Sequence, residues 1–220
     1  MEDIGLWISR ALQAQKEERM DEPIGGTNEV CSLQDVWGNE ASLKPSAVLV
    51  PIFEKQGRYH LLFTRRTQMV EYHKGEVSFP GGAKDEADDS LLETALRETE
   101  EEIGIPPSEI RMLGTLSDVY TIVSKFVVRP YVGIIPHPFE FRINSLETEE
   151  IVEIPLDFFY YERRHWEDIF EYQEKRIKSH FFEWRKDVIV WGVTAQIVKN
   201  FCNILKQNLK SDIVERMVNG

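Results

Sequence analysis

The sequence predicts an α/β domain, and three observations carry that expectation. A β-branched apolar run, Ala47-Val48-Leu49-Val50-Pro51-Ile52-Phe53, is followed by a turn glycine, Gly57, and a second strand-like run from Tyr59 to Thr64. A segment of helical periodicity from about Ser90 is closed by Gly104 and then by Pro106-Pro107. Near the carboxy end a short apolar run, Val188 to Trp191, leads through Gly192 into Val193, Ile197, Val198, Phe201 and Leu205 at helical spacing. The order strand, strand, loop-helix, strands, helix fits an α/β arrangement.

Taken in order, the chain begins with Ile4, Trp7, Ile8, Ala11 and Leu12 at helical spacing, an amphipathic helix to about Met20. It lies either on the core or on a partner subunit, so a homodimer stays open. It lacks the lysine-rich polar face of a membrane-surface helix. Residues 21–45, with Gly25-Gly26 and Gly38, read as a connecting segment. The runs at 47–53 and 59–64 pair as a hairpin. Ile110–Leu116 and Phe126–Ile135 are the next strands, and Pro130 argues that the second is an edge or bulged strand. Leu156–Tyr161 is a short helix with Pro155 in its first turn. From Trp166 the chain turns aromatic, with Phe170, Tyr172, Phe181, Phe182 and Trp184 on one or two strands that cover a cleft. Such aromatics are more often core than a platform for a base.

Composition narrows the function. With 220 residues, 42% of them hydrophobic, the chain supports one domain with a sizeable core. A net charge of −12 argues against nucleic acid as a partner. No apolar run reaches the roughly 20 residues that span a bilayer, so no membrane partner is expected. The opening MEDIGLWISRALQAQ does not read as a secretory signal. Cys31 and Cys202 are isolated and far apart, the pattern of reduced thiols in a cytoplasmic protein.

The helical segment at 90–103 carries two faces. Leu92, Ala95, Leu96, Thr99 and Ile103 make a mostly apolar stripe, while Glu98, Glu101 and Glu102 stand at i, i+3 and i+4 and share a second face. Like charges at that spacing destabilise a bare helix by about a few tenths of a kcal/mol. A divalent cation removes that cost, and Mg²⁺ or Mn²⁺ favours carboxylate oxygens. The bland alternative is a solvated acidic face. The order of residues decides between them. Gly82, an acidic position near Asp88 or Asp89, and then Arg97-Glu98-Thr99-Glu100-Glu101-Glu102-Ile103-Gly104-Ile105 resemble the signature of the Nudix hydrolase family. The resemblance implies a loop-helix-loop that binds metal and positions a diphosphate. It carries Glu98, Glu101 and Glu102 over as metal ligands. It casts Arg97 as a structural residue paired with Asp88, Asp89 or a helix carboxylate. Thr99 stands where the family usually has an aliphatic residue.

Upstream, Leu62-Phe63-Thr64-Arg65-Arg66-Thr67, Glu71, Gly75 and Phe79-Pro80-Gly81-Gly82 resemble the segment that precedes the signature in Nudix coenzyme A diphosphatases. Glu71 stands where that subfamily has an arginine. Arg65 and Arg66 are either surface charge or phosphate contacts, since guanidinium forks fit phosphate oxygens. Lys125 and Arg129 face a diphosphate or solvent. His73 in the intervening loop is more often a surface residue than a substrate contact. Gly81 and Gly82 let backbone approach phosphates with no Cβ in the way. A second acidic segment, Glu147 to Leu156, resembles the place where a loop carboxylate enters these active sites. That suggests Glu147 or Glu150, beside Glu101, in a catalytic role.

The resemblance therefore implies a Nudix-type α/β/α sandwich with a mixed β-sheet between helices. Residues 46–210 form that domain, 1–45 an amino-terminal helix and connecting segment, and 211–220 a tail. The expected activity is metal-dependent hydrolysis of a nucleoside diphosphate derivative. Coenzyme A or acyl-CoA is the preferred substrate, cleaved to a phosphopantetheine and adenosine 3′,5′-bisphosphate. ADP-ribose, dinucleotides and nucleoside triphosphates are the rivals, favoured by Glu71. A ligand-binding regulator that keeps the fold without turnover is the alternative of another class.

Overall fold

The computed structural model describes residues 3–18, 43–67, 75–121, 125–172, 175–209 and 217. Cys31, Glu71, Tyr72 and His73 lie outside them, as do most of the connecting segment and of the tail. The first helix, α1, spans Ile4–Glu18. The 47–53 run extends into β1, Lys44–Lys55, and turns into β2, Arg58–Arg66. Gln56 and Gly57 both take positive φ, 53° and 78°. That is the conformation of a tight two-residue hairpin whose twist matches the strands it joins.

β1 is the middle of an eight-stranded mixed sheet. On one side it pairs antiparallel with β2 and with β4, Gly81–Ala83. On the other it pairs parallel with β7, Phe126–Ile134. β3 (Val77–Ser78) and β8 (Thr148–Pro155) extend the β2 side, and β5 (Arg111–Thr115) and β6 (Val119–Tyr120) extend the β7 side. Alternation along β1 and β2 divides the core in two. Leu49, Phe53 and Leu62 pack with Ile103 and Ile105 at the end of α2, Leu91–Ile103. Val50, Ile52, Leu61 and Phe63 pack on the opposite face, in one cluster with α1 and with α4, Gly192–Asn208. A mixed sheet thus lies between helices, as expected.

Of the two readings of Pro130, the edge is corrected, while the pairing of β7 with β5 does carry a register shift between Met112 and Gly114. β7 is not an edge strand; β1 lies on one side and β5 and β6 on the other. The carbonyl of Pro130 accepts from Leu116 N at 2.9 Å, so its missing N–H also points to that side. There β5 pairs with residues 131–134 and β6 with 127–128, and Pro130 falls in the gap between them. An interior strand accepts the proline because neither β5 nor β6 pairs with it, so its missing N–H breaks neither ladder.

Beyond β8, Pro155 caps the short helix α3, Leu156–Tyr160. The aromatic stretch forms β9, His165–Tyr172, and β10, Lys175–Arg185, which join β11, Val188–Trp191, in a separate three-stranded sheet. Phe159 ties the two sheets together. Its ring meets Phe63 of β2 at 5.7 Å and Phe158 and Phe182 at 5.2 Å each. Cys202 on α4 is buried with its thiol free. No helix among the described residues is long and apolar enough to cross a membrane.

Phe159→Ala removes a fully buried ring at this junction. It should lower unfolding free energy by about 3–5 kcal/mol. Denaturant unfolding checks this; a wild-type midpoint would show that the two sheets do not depend on the ring.

Candidate active site

The site is built on α2. Ser90 caps it by accepting from Glu93 N, and Gly104, at φ 77°, ends it by donating to Glu100 O. Asp88 lies just before the helix and is 4% exposed. Arg97 clamps it with a two-pronged contact, Nε to Oδ1 at 2.9 Å and Nη2 to Oδ2 at 3.0 Å. Asp85 N and Thr94 Oγ1 also donate to Asp88. The Arg97 fork holds the Asp88 carboxyl far below the usual range. The third nitrogen of Arg97, Nη1, meets Glu98 Oε1 at 2.9 Å and Glu101 Oε2 at 3.0 Å.

The three helix carboxylates sit at graded depths. Glu101 is the outermost, with 56% of its side chain exposed, and Glu98 retains 17%. Glu102 is almost completely buried and is bonded by Thr64 Oγ1 at 3.2 Å. Burial pushes the Glu102 carboxyl up to about 7, against the pull of Arg66 and Thr64 and with a push from Glu98 and Glu147. Burial also raises Glu98; Arg97 opposes the rise, and Glu101 and Glu147 add to it. The apolar stripe read from the sequence therefore takes in a carboxylate. Thr99 is buried among these residues and satisfies its hydroxyl on Ala95 O at 2.6 Å.

Gly81 is sterically required within the chain, and Gly82 leaves room for the Glu98 carboxylate. A Cβ at Gly81, φ 151°, would lie 2.3 Å from Ala47 O, and one at Gly82 would lie 2.6 Å from the Glu98 carboxyl carbon. Both close approaches are local: β4 lies close on β1, and Glu98 lies on β4. Gly104 serves the other end of the helix, where a Cβ would meet Arg142 at 2.8 Å. There Arg142 N and Asn144 N donate to the carbonyls of Ile103 and Glu102. The loop that carries Glu147 is thus bolted to the end of α2, and Thr67 N fixes it further by donating to Glu147 O.

The two acidic candidates separate here. Glu147 is an electrostatic neighbour of both Glu98 and Glu102. Glu150 faces Arg65 across the β2–β8 ladder and is paired with Arg65 and Arg185. The two arginines separate for the same reason. Arg65 is held by Glu150 and Asp187, away from the helix carboxylates. Arg66, one residue on, neighbours Glu102 and lines a cavity of about 400 Å³ between the two sheets. Its Nε is buried without a hydrogen-bond partner. Gly81, Phe79, Ile177, Ser179 and Trp191 contribute to the cavity wall. Arg129 is bound at two points by Asp118, each 2.8 Å. Sequence reasoning missed Thr64 as the donor to Glu102, and a threonine on a strand carries no signal of such a role.

All candidate donors on α2 are carboxylate oxygens, and burial with mutual repulsion raises two of them. A hard divalent cation fits that donor set and relieves both effects.

The comparisons with known proteins give the family and the fold. The NUDIX domain model matches residues 43–183. The chain is 40% identical over 155 residues to the uncharacterized Nudix hydrolase NudL of Pectobacterium atrosepticum, covering 70% of this chain and 79% of that protein. It is 36% identical over 167 residues to the protein of the same name from Citrobacter koseri, covering 74% and 84%. Among solved structures, a MutT/nudix family protein from Enterococcus faecalis superposes with a TM-score of 0.52 at 12% identity, over 96% of this chain and 77% of that one. The MutT protein from Methanosarcina mazei Go1 does so at 0.50 and 18%, over 78% and 99%. These last two show the fold alone. The chain belongs to the Nudix family, whose hydrolases generally use divalent metal ions, and it is a Nudix pyrophosphohydrolase. The alternative of a regulator without turnover gives way to that.

The raised Glu102 carboxyl has a measurable consequence when metal is chelated. A folded-state value of about 7 lies above the usual carboxylate range, so its contribution to stability is full below about pH 4 and is lost as pH rises through 7. Glu102→Gln should therefore stabilise the chelated protein at pH 8, by on the order of 1–3 kcal/mol. It should also flatten the stability profile between pH 4 and 8. Thermal unfolding across that range checks this; an unchanged profile would show that Glu102 is not held in an unfavourable charged form.

Proposed function

We propose that the chain hydrolyses the diphosphate linkage of a nucleoside diphosphate derivative, with coenzyme A or an acyl-CoA as the preferred substrate. The observation that carries the reaction type is Arg66, which joins the buried carboxylates of α2 to the cavity beside them. Glu98, Glu101 and Glu102 would hold Mg²⁺ or Mn²⁺. Bound there, the ion supplies charge neutralisation for the diphosphate and acidifies a water. Arg66 offers its guanidinium to a phosphate oxygen at the cavity wall. Glu147, fixed by the loop beside α2, orients the attacking water and takes its proton. The water oxygen bonds to phosphorus as the bridging oxygen leaves with the electron pair. Arg97 keeps the helix carboxylates aligned through Asp88 and stays out of the reaction. Arg65 and Glu150 brace one another, so neither is assigned a part.

Coenzyme A is supported by Thr64, Arg66, Gly75 and Phe79-Pro80-Gly81-Gly82, which match the coenzyme A diphosphatase pattern. The second reading, ADP-ribose, dinucleotides or nucleoside triphosphates, is favoured by Glu71, which reverses a charge in that pattern. The buried free thiol of Cys202 is in keeping with a cytoplasmic setting.

A substrate panel with Mg²⁺ and with Mn²⁺ tests the reading, with products resolved by chromatography. Selective release of adenosine 3′,5′-bisphosphate from coenzyme A is the expected outcome; preference for another member discards coenzyme A and keeps the chemistry. In the same assay Glu147→Gln should lower kcat by about 10²–10⁴-fold. Glu150→Gln should leave kcat near wild type, and the reverse order would move the base to Glu150.

A further inference from the structure

The second sheet carries a cluster that the hydrolysis does not use. His165 and Glu167 are two residues apart on β9 and share a face, and His180 of β10 pairs directly with Glu167. Ile177 and Ser179, which line the cavity, alternate with His180 and point the other way. By strand alternation the cluster's side chains lie on the face opposite Ile177 and Ser179, while Lys178, the partner of Glu167, also borders the cavity. His165 Nε2 is 3.1 Å from His180 Nδ1, which in turn is 3.3 Å from Glu167 Oε1. All three donor atoms fall within 4.8 Å of one another.

Those spacings suit one ion. Tetrahedral zinc, with bonds of about 2.0–2.1 Å to nitrogen and oxygen, sets its ligand atoms about 3.4 Å apart. Two edges of the triangle are already close to that. The third closes by a rotation of Glu167, whose side chain is 40% exposed. The histidines are prepared in ways that mark ligands. Phe182 stacks on the His165 ring with centroids 4.6 Å apart and fixes its plane. Glu162 Oε2 lies 3.5 Å from His165 Nδ1, the ring nitrogen turned away from His180. Glu162 is itself held by Lys199 and Lys206, each at 2.9 Å. A carboxylate behind a ligating imidazole is the usual device for orienting it. Lys178 engages Glu167 through Oε2 at 2.5 Å, and Oε1 is the oxygen that reaches His180. Burial lowers both imidazoles from their usual range, with Lys199 adding to the shift and Glu167 opposing it.

We infer that His165, Glu167 and His180 form a second metal site, selective for a zinc-class cation, with water as the fourth ligand. Two imidazoles and one carboxylate are a borderline-soft set, unlike the all-oxygen set on α2 that suits Mg²⁺ or Mn²⁺. With metal on His165 Nε2 and His180 Nδ1, each neutral ring carries its proton on the other nitrogen, Nδ1 of His165 and Nε2 of His180. Binding ties β9 to β10 on the side where Lys199 of α4 approaches.

The test uses Zn²⁺ alone, titrated into the full chain in competition with a chromophoric chelator. Glu98→Gln and Glu101→Gln are present to remove oxygen ligands of the first site. One zinc per chain should remain. His180→Gln or Glu167→Gln should abolish it, and Glu162→Gln should weaken it about 10–100-fold. Co²⁺ in the same background should show the intense visible absorption of a tetrahedral site. The proposal is overturned if the folded protein takes up no zinc, or if zinc is held equally well after both His180→Gln and Glu167→Gln. Glu167 is the more exposed ligand, so its variant keeps the test standing should the histidine variant fail to fold.

Discussion

Arg97 touches Asp88, Glu98 and Glu101 at once, and the arrangement of the active site depends on that shared counter-ion. Asp88, Glu98 and Glu101 gather around one guanidinium, which offsets their mutual repulsion. Asp88 anchors the arginine in a buried position, and the arginine leaves one nitrogen for two glutamates of the helix. Glu102 lies outside this clamp and relies on Thr64 and the charge of Arg66. Its carboxyl is consequently the one whose ionisation opposes folding most, which leaves the most for a divalent cation to relieve.

Backbone contacts make the rest of the site from the same helix. Gly82 lets Glu98 lie against β4, and Gly104 lets the 142–147 loop lie against the helix end. Glu147 is thereby fixed relative to Glu98 and Glu102 by main-chain hydrogen bonds, with its side chain accepting from Asn144 Nδ2 in the same loop. The second sheet then closes a cavity on Arg66. Its two faces divide the labour: one lines the cavity, and the other gathers His165, Glu167 and His180.

Much of this was legible in the sequence because it is local. The strand runs at 47–53 and 59–64, the cap and stop of α2, and the i, i+3, i+4 glutamates follow from propensity and spacing. What was not legible depends on neighbours far along the chain. Pro130 looks like an edge residue until β5 and β6 are seen to leave a gap opposite it. Arg65 and Arg66 look equivalent until β8 supplies Glu150 to one of them, and the same pairing separates Glu150 from Glu147. Glu102 reads as one of three equivalent ligands on a helix face, yet the sheet buries it more deeply than Glu98 and Glu101, with Thr64 on β2 opposite to receive it.

Titration of Mn²⁺, followed by loss of the free-ion electron paramagnetic resonance signal, tests most directly whether the gathered carboxylates hold a divalent cation. Wild-type protein should bind Mn²⁺, and the chain carrying Glu98→Gln with Glu102→Gln should lose that binding while remaining folded. Equal Mn²⁺ affinity in the two proteins would contradict the account and place the catalytic metal elsewhere.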